Sequence, residues 1–292
     1  MHAHGPAAEK GAVSEPRSWL FVPADSERKI SKALESDADA IIFDLEDSVA
    51  PAQKAAARDI LRQLPKRSGG GEWWVRVNPI GSEFHKDDLH LIGVADIHGI
   101  VLPKAESGAD VTRLSHRTGN IPIHAIVTET AASLFGLLSY REPNSPLAAM
   151  SWGAEDLSAA LGASSKYDAS GELSFTYQLA RTLCLAGAVA AGVQPVDGVF
   201  ADFKDEMGLK AEAEAARREG FTGKLAIHPA QVAVINAAFT PSDDDIRHAE
   251  EIVAAFEAQP NAGVLSVGGK MVDRPHLVQA RRVLERAVRQ EA

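Results

Sequence analysis

The chain has 292 residues, 45% hydrophobic and 24% charged, with a net charge of −10. That charge excludes a broad nucleic-acid surface, which needs a basic footprint, while leaving room for a local basic pocket for an anionic ligand. No run approaches the ~18 apolar residues needed to cross a bilayer, and a single cysteine, Cys184, excludes an intrachain disulfide. One thiol fits a reducing cytoplasm. Its place in the apolar run 180–191 reads as a buried structural thiol rather than a nucleophile.

Taken in chain order, residues 1–16 are rich in Ala, Gly and His and lack an apolar core. They read as a disordered leader rather than a signal peptide, and His2 and His4 as part of a floppy tail rather than a metal site. Then short apolar runs alternate with amphipathic stretches. The predicted strands are 18–23, 40–46, 73–78, 99–104, 122–128, 148–153, 196–200 and 224–228. They are continuous and rich in β-branched residues, as strands buried on both faces are. Helical stretches lie between them, among them 26–35, 51–64, 108–118 and 205–219. Ser26 is placed to cap the first and Pro51 to open the second. Gly119 and Gly220 follow helical runs, where a left-handed C-terminal residue fits. Eight strands, each followed by a helix, predict a parallel (β/α)8 barrel over 17–240. An open doubly wound sheet is the alternative, against which stands the lack of a GxGxxG motif.

After the eighth strand the pattern changes. A helix is predicted over 242–258, begun by Ser242 with acidic residues in its first turn. A Gly-rich stretch at 261–269, the segment 270–273 and a basic helix over 275–289 follow. Residues 241–292 are too short for an independent domain and read as a lid, or as an arm that packs on a neighbouring subunit.

In a barrel of this kind the chemistry sits at the C-terminal ends of the strands. The polar residues there are Asp44, Glu46, Asp47, Arg76, Asn78, Lys104, Glu129, Glu155, Asp156, Asp202 and His228. So many acids on one rim must be separated, protonated or neutralised. Magnesium binds through one or two carboxylates plus other oxygens, and Glu129 and Asp156, on adjacent strand ends, form such a pair. The alternative is that both acids cap helices. HxxxH and CxxC spacings are missing, which argues against zinc. Arg76 offers a planar fork for a substrate carboxylate. It is equally placed to pair with Asp44, Glu46 or Asp47, and the two roles are compatible if one acid orients the arginine.

At these residues the chain resembles the citrate lyase β-subunit-like branch of the HpcH/HpaI aldolase family, the CoA-ester lyases. The matching segments begin with Arg17-Ser-Trp-Leu-Phe-Val-Pro23, Phe43-Asp-Leu-Glu-Asp-Ser-Val49, Val75-Arg-Val-Asn78 and Leu102-Pro-Lys104. They continue with Glu129-Thr-Ala131, Trp152-Gly-Ala-Glu-Asp-Leu157, Asp202-Phe203, Gly223-Lys-Leu-Ala-Ile-His-Pro229 with Gln231, and Gly269-Lys-Met-Val-Asp273 with Pro275. The chain departs from the pattern at Ala24 and Gly268, where relatives commonly carry Gly and Asp.

The resemblance implies a barrel with a C-terminal lid, assembled as a homotrimer or a multiple of three with lids exchanged between subunits. It implies magnesium, or manganese in its place, at Glu129 and Asp156, and a coenzyme A thioester as substrate. Arg76 would hold the oxo-acid, with Gly153, Ala154 and Glu155 beside it, and Asp44, Glu46 and Asp47 would orient Arg76. Arg17, Lys104, His228 and Pro229 would line the mouth for the CoA moiety. Asp273 would be the acid/base supplied by a neighbouring lid. The implied reaction is reversible cleavage of a β-hydroxyacyl-CoA such as malyl-, methylmalyl- or citramalyl-CoA to an acyl-CoA and glyoxylate or pyruvate. The alternatives are a citrate lyase β subunit, a malyl-CoA thioesterase, or a barrel that has lost its chemistry and serves as a binding module.

Overall fold

The structure is a computed structural model and describes residues 15–66, 71–93, 95–142 and 145–291. The leader, apart from its last two residues, lies outside the described residues, as do His2 and His4. Eight parallel strands close into a barrel: β1 (Ser18–Pro23), β2 (Ala40–Asp44), β3 (Glu72–Arg76), β4 (Gly99–Leu102), β5 (Ile123–Ile126), β6 (Leu147–Ser151), β7 (Gln194–Asp197) and β8 (Gly223–Ala226). Each strand pairs with the next, and β8 closes on β1 through the partners Ser18 and Lys224. Thus the closed barrel, not the open sheet, is the architecture.

Strands β2 to β8 differ from the predicted spans by one to three residues at one or both ends. The apolar signal runs past the ladder, because Leu45, Val77 and Val127 lie beyond their strands yet are at most 1% exposed. The inward residues Trp19, Ile42, Trp74, Val101, Ile126, Ala149, Val196 and Leu225 fill the barrel as one cluster. Trp19 and Trp74 meet at 4.9 Å, a tilted aromatic contact. His124 stands edge-on to Trp19 at 4.6 Å and shares a 2.9 Å hydrogen bond with Ser151.

The helices are α1 (Glu27–Leu34), α2 (Lys54–Arg62), α3 (His85–Asp88), α4 (Gly108–Thr118), α5 (Ser133–Gly136), α6 (Ala154–Leu161), α7 (Phe175–Ala191), α8 (Glu206–Glu219) and α9 (Val232–Phe239). Ser26 caps α1 by accepting the Lys29 N–H. Pro51 opens a 3-10 turn, Pro51–Gln53, that leads into α2. Gly119 and Gly220 follow α4 and α8 with φ of 72° and 119°. Cys184, in α7, is fully buried, and burial pushes its thiol pKa up, as an inert thiol requires.

Two compact units are present, Glu15–Ala237 and one from Ala238 onward. The second contains α10 (Asp243–Ala258), an antiparallel hairpin of β9 (Val264–Val267) and β10 (Lys270–Asp273), and α11 (Arg274–Glu291). Ser242 and Asp245 form the capping box of α10. The hairpin falls where the sequence shows a Gly-rich stretch and the segment 270–273. Gly268 and Gly269 both have positive φ, 57° and 76°, the requirement of a two-residue turn matched to strand twist. Ala249, Ile252, Phe256, Val267, Val272, Leu277 and Ala280 form this unit's own core. Among the described residues no helix is long and apolar enough to cross a membrane.

Candidate active site at the strand ends

Asp44 and Arg76 are the last residues of β2 and β3 and are register partners. This puts an acid and a guanidinium side by side at the rim. Arg76 donates from Nε and Nη2 to the two oxygens of Asp44 at 2.7 and 2.6 Å, a bidentate fork. Asp44 also accepts the N–H groups of Glu46 and Ser48 at 2.9 and 3.1 Å. Burial alone would raise its pKa. The adjacent Arg76 and these hydrogen bonds overcome burial and hold the carboxyl below its ordinary value.

The arginine is held on three sides. Its Nη1 lies 3.0 Å from Glu46 Oε2, and its guanidinium covers the ring of Phe21 at 4.7 Å. Phe21 was not foreseen as a site residue. Its signal was available: it shares the inward parity of Trp19 on β1, two residues from the rim. The fork uses two of the five N–H donors of Arg76, leaving Nη1 and one Nη2 hydrogen for other acceptors. The two sequence readings of Arg76 therefore combine: acids orient it, and a donor edge remains for a ligand oxyanion.

Glu46 is only 3% exposed, and its Oε2 lacks hydrogen-bond geometry to any partner although Arg76 faces it. Burial raises its pKa against the pull of Arg76 and Lys104. Behind it, the buried ammonium of Lys54 donates to the Leu45 and Glu46 carbonyls and to Asn78 Oδ1, at 2.7 to 2.9 Å. Lys54 is a second residue that the sequence reading missed, and a lone lysine in the first turn of α2 carries no signal of burial.

Glu129 follows β5 and is 4% exposed. Burial, reinforced by the neighbouring charges of Asp156 and Glu46, pushes its pKa up to about 8, against the hydrogen bond from the Lys104 N–H. Gly153 explains how it fits. A Cβ at 153 would stand 2.7 Å from Glu129 Cγ and 3.0 Å from Oε1, so only glycine lets the carboxylate lie against that backbone. Gly153 precedes α6, whose first turn carries Ala154, Glu155 and Asp156. The capping alternative is not realised, since no side chain caps the N-terminus of α6 and Glu129 accepts from Lys104.

Lys104 ties the cluster together. Its ammonium lies 2.5 Å from Glu46, 3.3 Å from Asp47 and 3.3 Å from Asp156. It therefore sits among the acids of the rim. Arg17 requires a correction. It precedes β1 and grips Asp39, which precedes β2, through backbone N–H, Nε and Nη2 at 2.7 to 2.9 Å. That is the N-terminal end of the barrel, separated from the rim by the length of a strand, about 20 Å.

Other predicted residues are placed more loosely. Asp47 is exposed beyond its contact with Lys104, and Glu155 turns outward onto Lys166. Asp202 is exposed and accepts the Lys204 N–H. His228 lies at the C-terminal end of β8, exposed, stacked on Phe203 at 4.7 Å, and followed by the 3-10 turn that Pro229 opens. In the second unit Asp273 ends β10 and is held by the ring of His276, whose hydrogen bond keeps the carboxyl below its ordinary pKa.

Arg76 and Lys104 form ion pairs with four rim carboxylates, Asp44, Glu46, Asp47 and Asp156, and Glu129 stands beside them. A hard divalent cation fits this donor set. Among the described residues Glu129 is a buried acid without a side-chain ion pair, the charge of Asp156 acts on it, and its carboxylate lies against the backbone of Gly153. Among the described residues no three His, Cys, Asp or Glu side chains converge as a metal cage.

Comparison with known proteins agrees with this geometry. Residues 17–229 match the family model described as HpcH/HpaI aldolase/citrate lyase. A (3S)-malyl-CoA thioesterase of Cereibacter sphaeroides is 39% identical, over 93% of this chain and 94% of its own length. A citrate lyase subunit beta-like protein of Mycobacterium tuberculosis is 36% identical, over 92% and 94%. The structure of CitE from M. tuberculosis in complex with magnesium, acetoacetate and coenzyme A superposes with a TM-score of 0.82 at 36% identity, covering 94% of this chain and 99% of that one. The barrel, the rim acids and these similarities establish that the chain belongs to the HpcH/HpaI aldolase/citrate lyase family.

Proposed function

We propose that this chain is a magnesium-dependent CoA-ester lyase that cleaves a β-hydroxyacyl-CoA to an acyl-CoA and glyoxylate or pyruvate. The observation that carries the reading is the rim itself. A buried guanidinium with free donors stands next to a buried, high-pKa carboxylate that needs a cation. The M. tuberculosis CitE structures with magnesium and coenzyme A, pyruvate or oxaloacetate support the same ligand classes.

Glu129 and Asp156 would hold the ion, and when bound it would supply Lewis-acid stabilisation of developing negative charge on the oxo-acid oxygens. Arg76 is fixed by Asp44, Glu46 and Phe21 before substrate arrives, so its donors need no reorganisation as charge develops. Ala154 brings a backbone N–H at the start of α6 to the same rim, while the Gly153 N–H is given to Thr128 Oγ1 at 3.3 Å. In cleavage, the bond between the carbinol carbon and the carbon next to the thioester breaks. The hydroxyl loses a proton and the carbon next to the thioester gains one. We assign that carbon's proton transfer to Asp273, contributed by the C-terminal unit of a second copy in a homotrimer. Its carboxyl, held ionised by His276, suits the base role in the condensation direction. His228 and Pro229 remain candidates for the CoA mouth, and a cytoplasmic location accords with the single buried thiol.

Hydrolysis of the thioester is a second outcome, favoured by the 39% identity to a malyl-CoA thioesterase. A mass-spectrometric panel of malyl-, methylmalyl- and citramalyl-CoA separates them. Cleavage yields a shorter acyl-CoA and an oxo-acid, whereas hydrolysis yields free coenzyme A and an intact hydroxy-diacid. No turnover of any member of the panel would reject the enzymatic reading. Asp273→Asn is expected to retain CoA-ester binding and lose cleavage, and near-wild-type turnover in that variant would remove Asp273 from the mechanism.

A further inference from the structure

Among the described residues, Lys104 is the non-glycine residue with a left-handed backbone, at φ 51°. It stands two residues beyond Leu102, the end of β4. Pro103 has no N–H to give, and the barrel bonding resumes with the Ala105 N–H on the Ile126 carbonyl at 3.2 Å. The left-handed step takes the N–H of Lys104 out of that pattern and delivers it to Glu129 Oε2 at 2.5 Å. A lysine gains nothing locally from this conformation, because its Cβ crowds the following carbonyl. Such strain persists where surrounding contacts over-determine it, and it gathers at functional sites.

We propose that the left-handed main chain of Lys104 is a positioning device for Glu129, fixing that carboxylate so that it and Asp156 can share one divalent cation. The inference rests on the metal site of the proposed function. The side chain has a separate task. Its ammonium lies among Glu46, Asp47 and Asp156 and offsets their charge, which accounts for a lysine at a position whose backbone suits glycine. Lys104 thereby links the acids that hold Arg76 to the acids that hold the cation.

A series of Lys104→Gly, Lys104→Asn, Lys104→Ala and Lys104→Val separates the two tasks. All four remove the ammonium, so charge is constant and only tolerance of the left-handed backbone varies. Magnesium chloride alone is titrated into the full-length chain by calorimetry, with circular-dichroism melts establishing that each variant is folded. Affinity is expected to fall in the order Gly, Asn, Ala, Val, with Val about tenfold or more below Gly, the size typical of losing a group that orients a metal ligand. If Lys104→Val does not fold, the order of the other three decides. Equal affinity across the folded variants would overturn the proposal while leaving the metal site standing. Failure of the wild-type chain itself to bind magnesium would reject the metal site, and the proposal with it.

Discussion

At the scale of single residues, the site depends on groups held in place before any ligand binds. Arg76 is the clearest case, forked onto Asp44, faced by Glu46 and backed by Phe21. Lysine cannot reproduce the fork. Arg76→Lys is therefore expected to lower kcat about 100- to 1,000-fold, as loss of an oxyanion donor does. Melting curves should stay close to wild type, and a kcat within threefold would count against the role. Gly153 is the other case. Gly153→Ala sets a methyl 2.7 Å from Glu129 Cγ. Overpacking of that kind costs about 1–3 kcal/mol, and calorimetry should find magnesium bound more weakly. Unchanged stability and affinity would mean that Glu129 has room to move. The rim positions of Glu129, Asp156 and Arg76 were legible because polar residues at or just past the ends of buried strands are conspicuous. The left-handed conformation of Lys104 and the burial of Lys54 were not, because neither residue type signals its backbone angle or its depth.

Elements supply the second level of support. Helix α2 and the segment after β3 are joined by buried polar contacts rather than apolar packing alone. Asp88, at the end of α3 and fully buried, accepts from the Asn78 backbone and side chain at 2.7 Å and from Arg58 Nε at 2.8 Å. Removing one partner of a buried ion pair strands the other charge. Asp88→Ala is expected to cost about 3–5 kcal/mol in denaturant unfolding, and a loss below about 1 kcal/mol would show that the network relaxes. Strand β1 and helix α4 were read from the sequence at the residues where they occur. Other strands came out longer than the ladder because Leu45, Val77 and Val127 are core residues outside it. The β9–β10 hairpin escaped notice, since its two glycines look like a loop until paired with the strands on either side. Arg17 was misplaced for a related reason: its motif sits at the right point in the chain but at the wrong end of a parallel strand.

For the whole molecule, the barrel interior adds a dependence on pH. His124 is fully buried, and burial pushes its pKa down to about 3 from an ordinary value of 6.5. The folded state thus holds the ring neutral where the unfolded state would protonate it. Its contribution is fully present above about pH 6.5 and is lost as pH falls toward 3. Between pH 7.5 and pH 5 this amounts to about 2 kcal/mol, to be read from urea unfolding of wild type against His124→Asn. An equal pH dependence in both would show that the ring titrates elsewhere. The barrel closure, the rim and the family membership converge on one claim, that Glu129 and Asp156 hold the ion on which cleavage depends. It is tested most directly by the magnesium-activation curve for CoA-ester cleavage in wild type and Glu129→Gln. The account predicts that chelation abolishes wild-type cleavage and that the variant needs at least about tenfold more magnesium, or does not respond. Cleavage that survives chelation, or coincident curves for the two proteins, would contradict it.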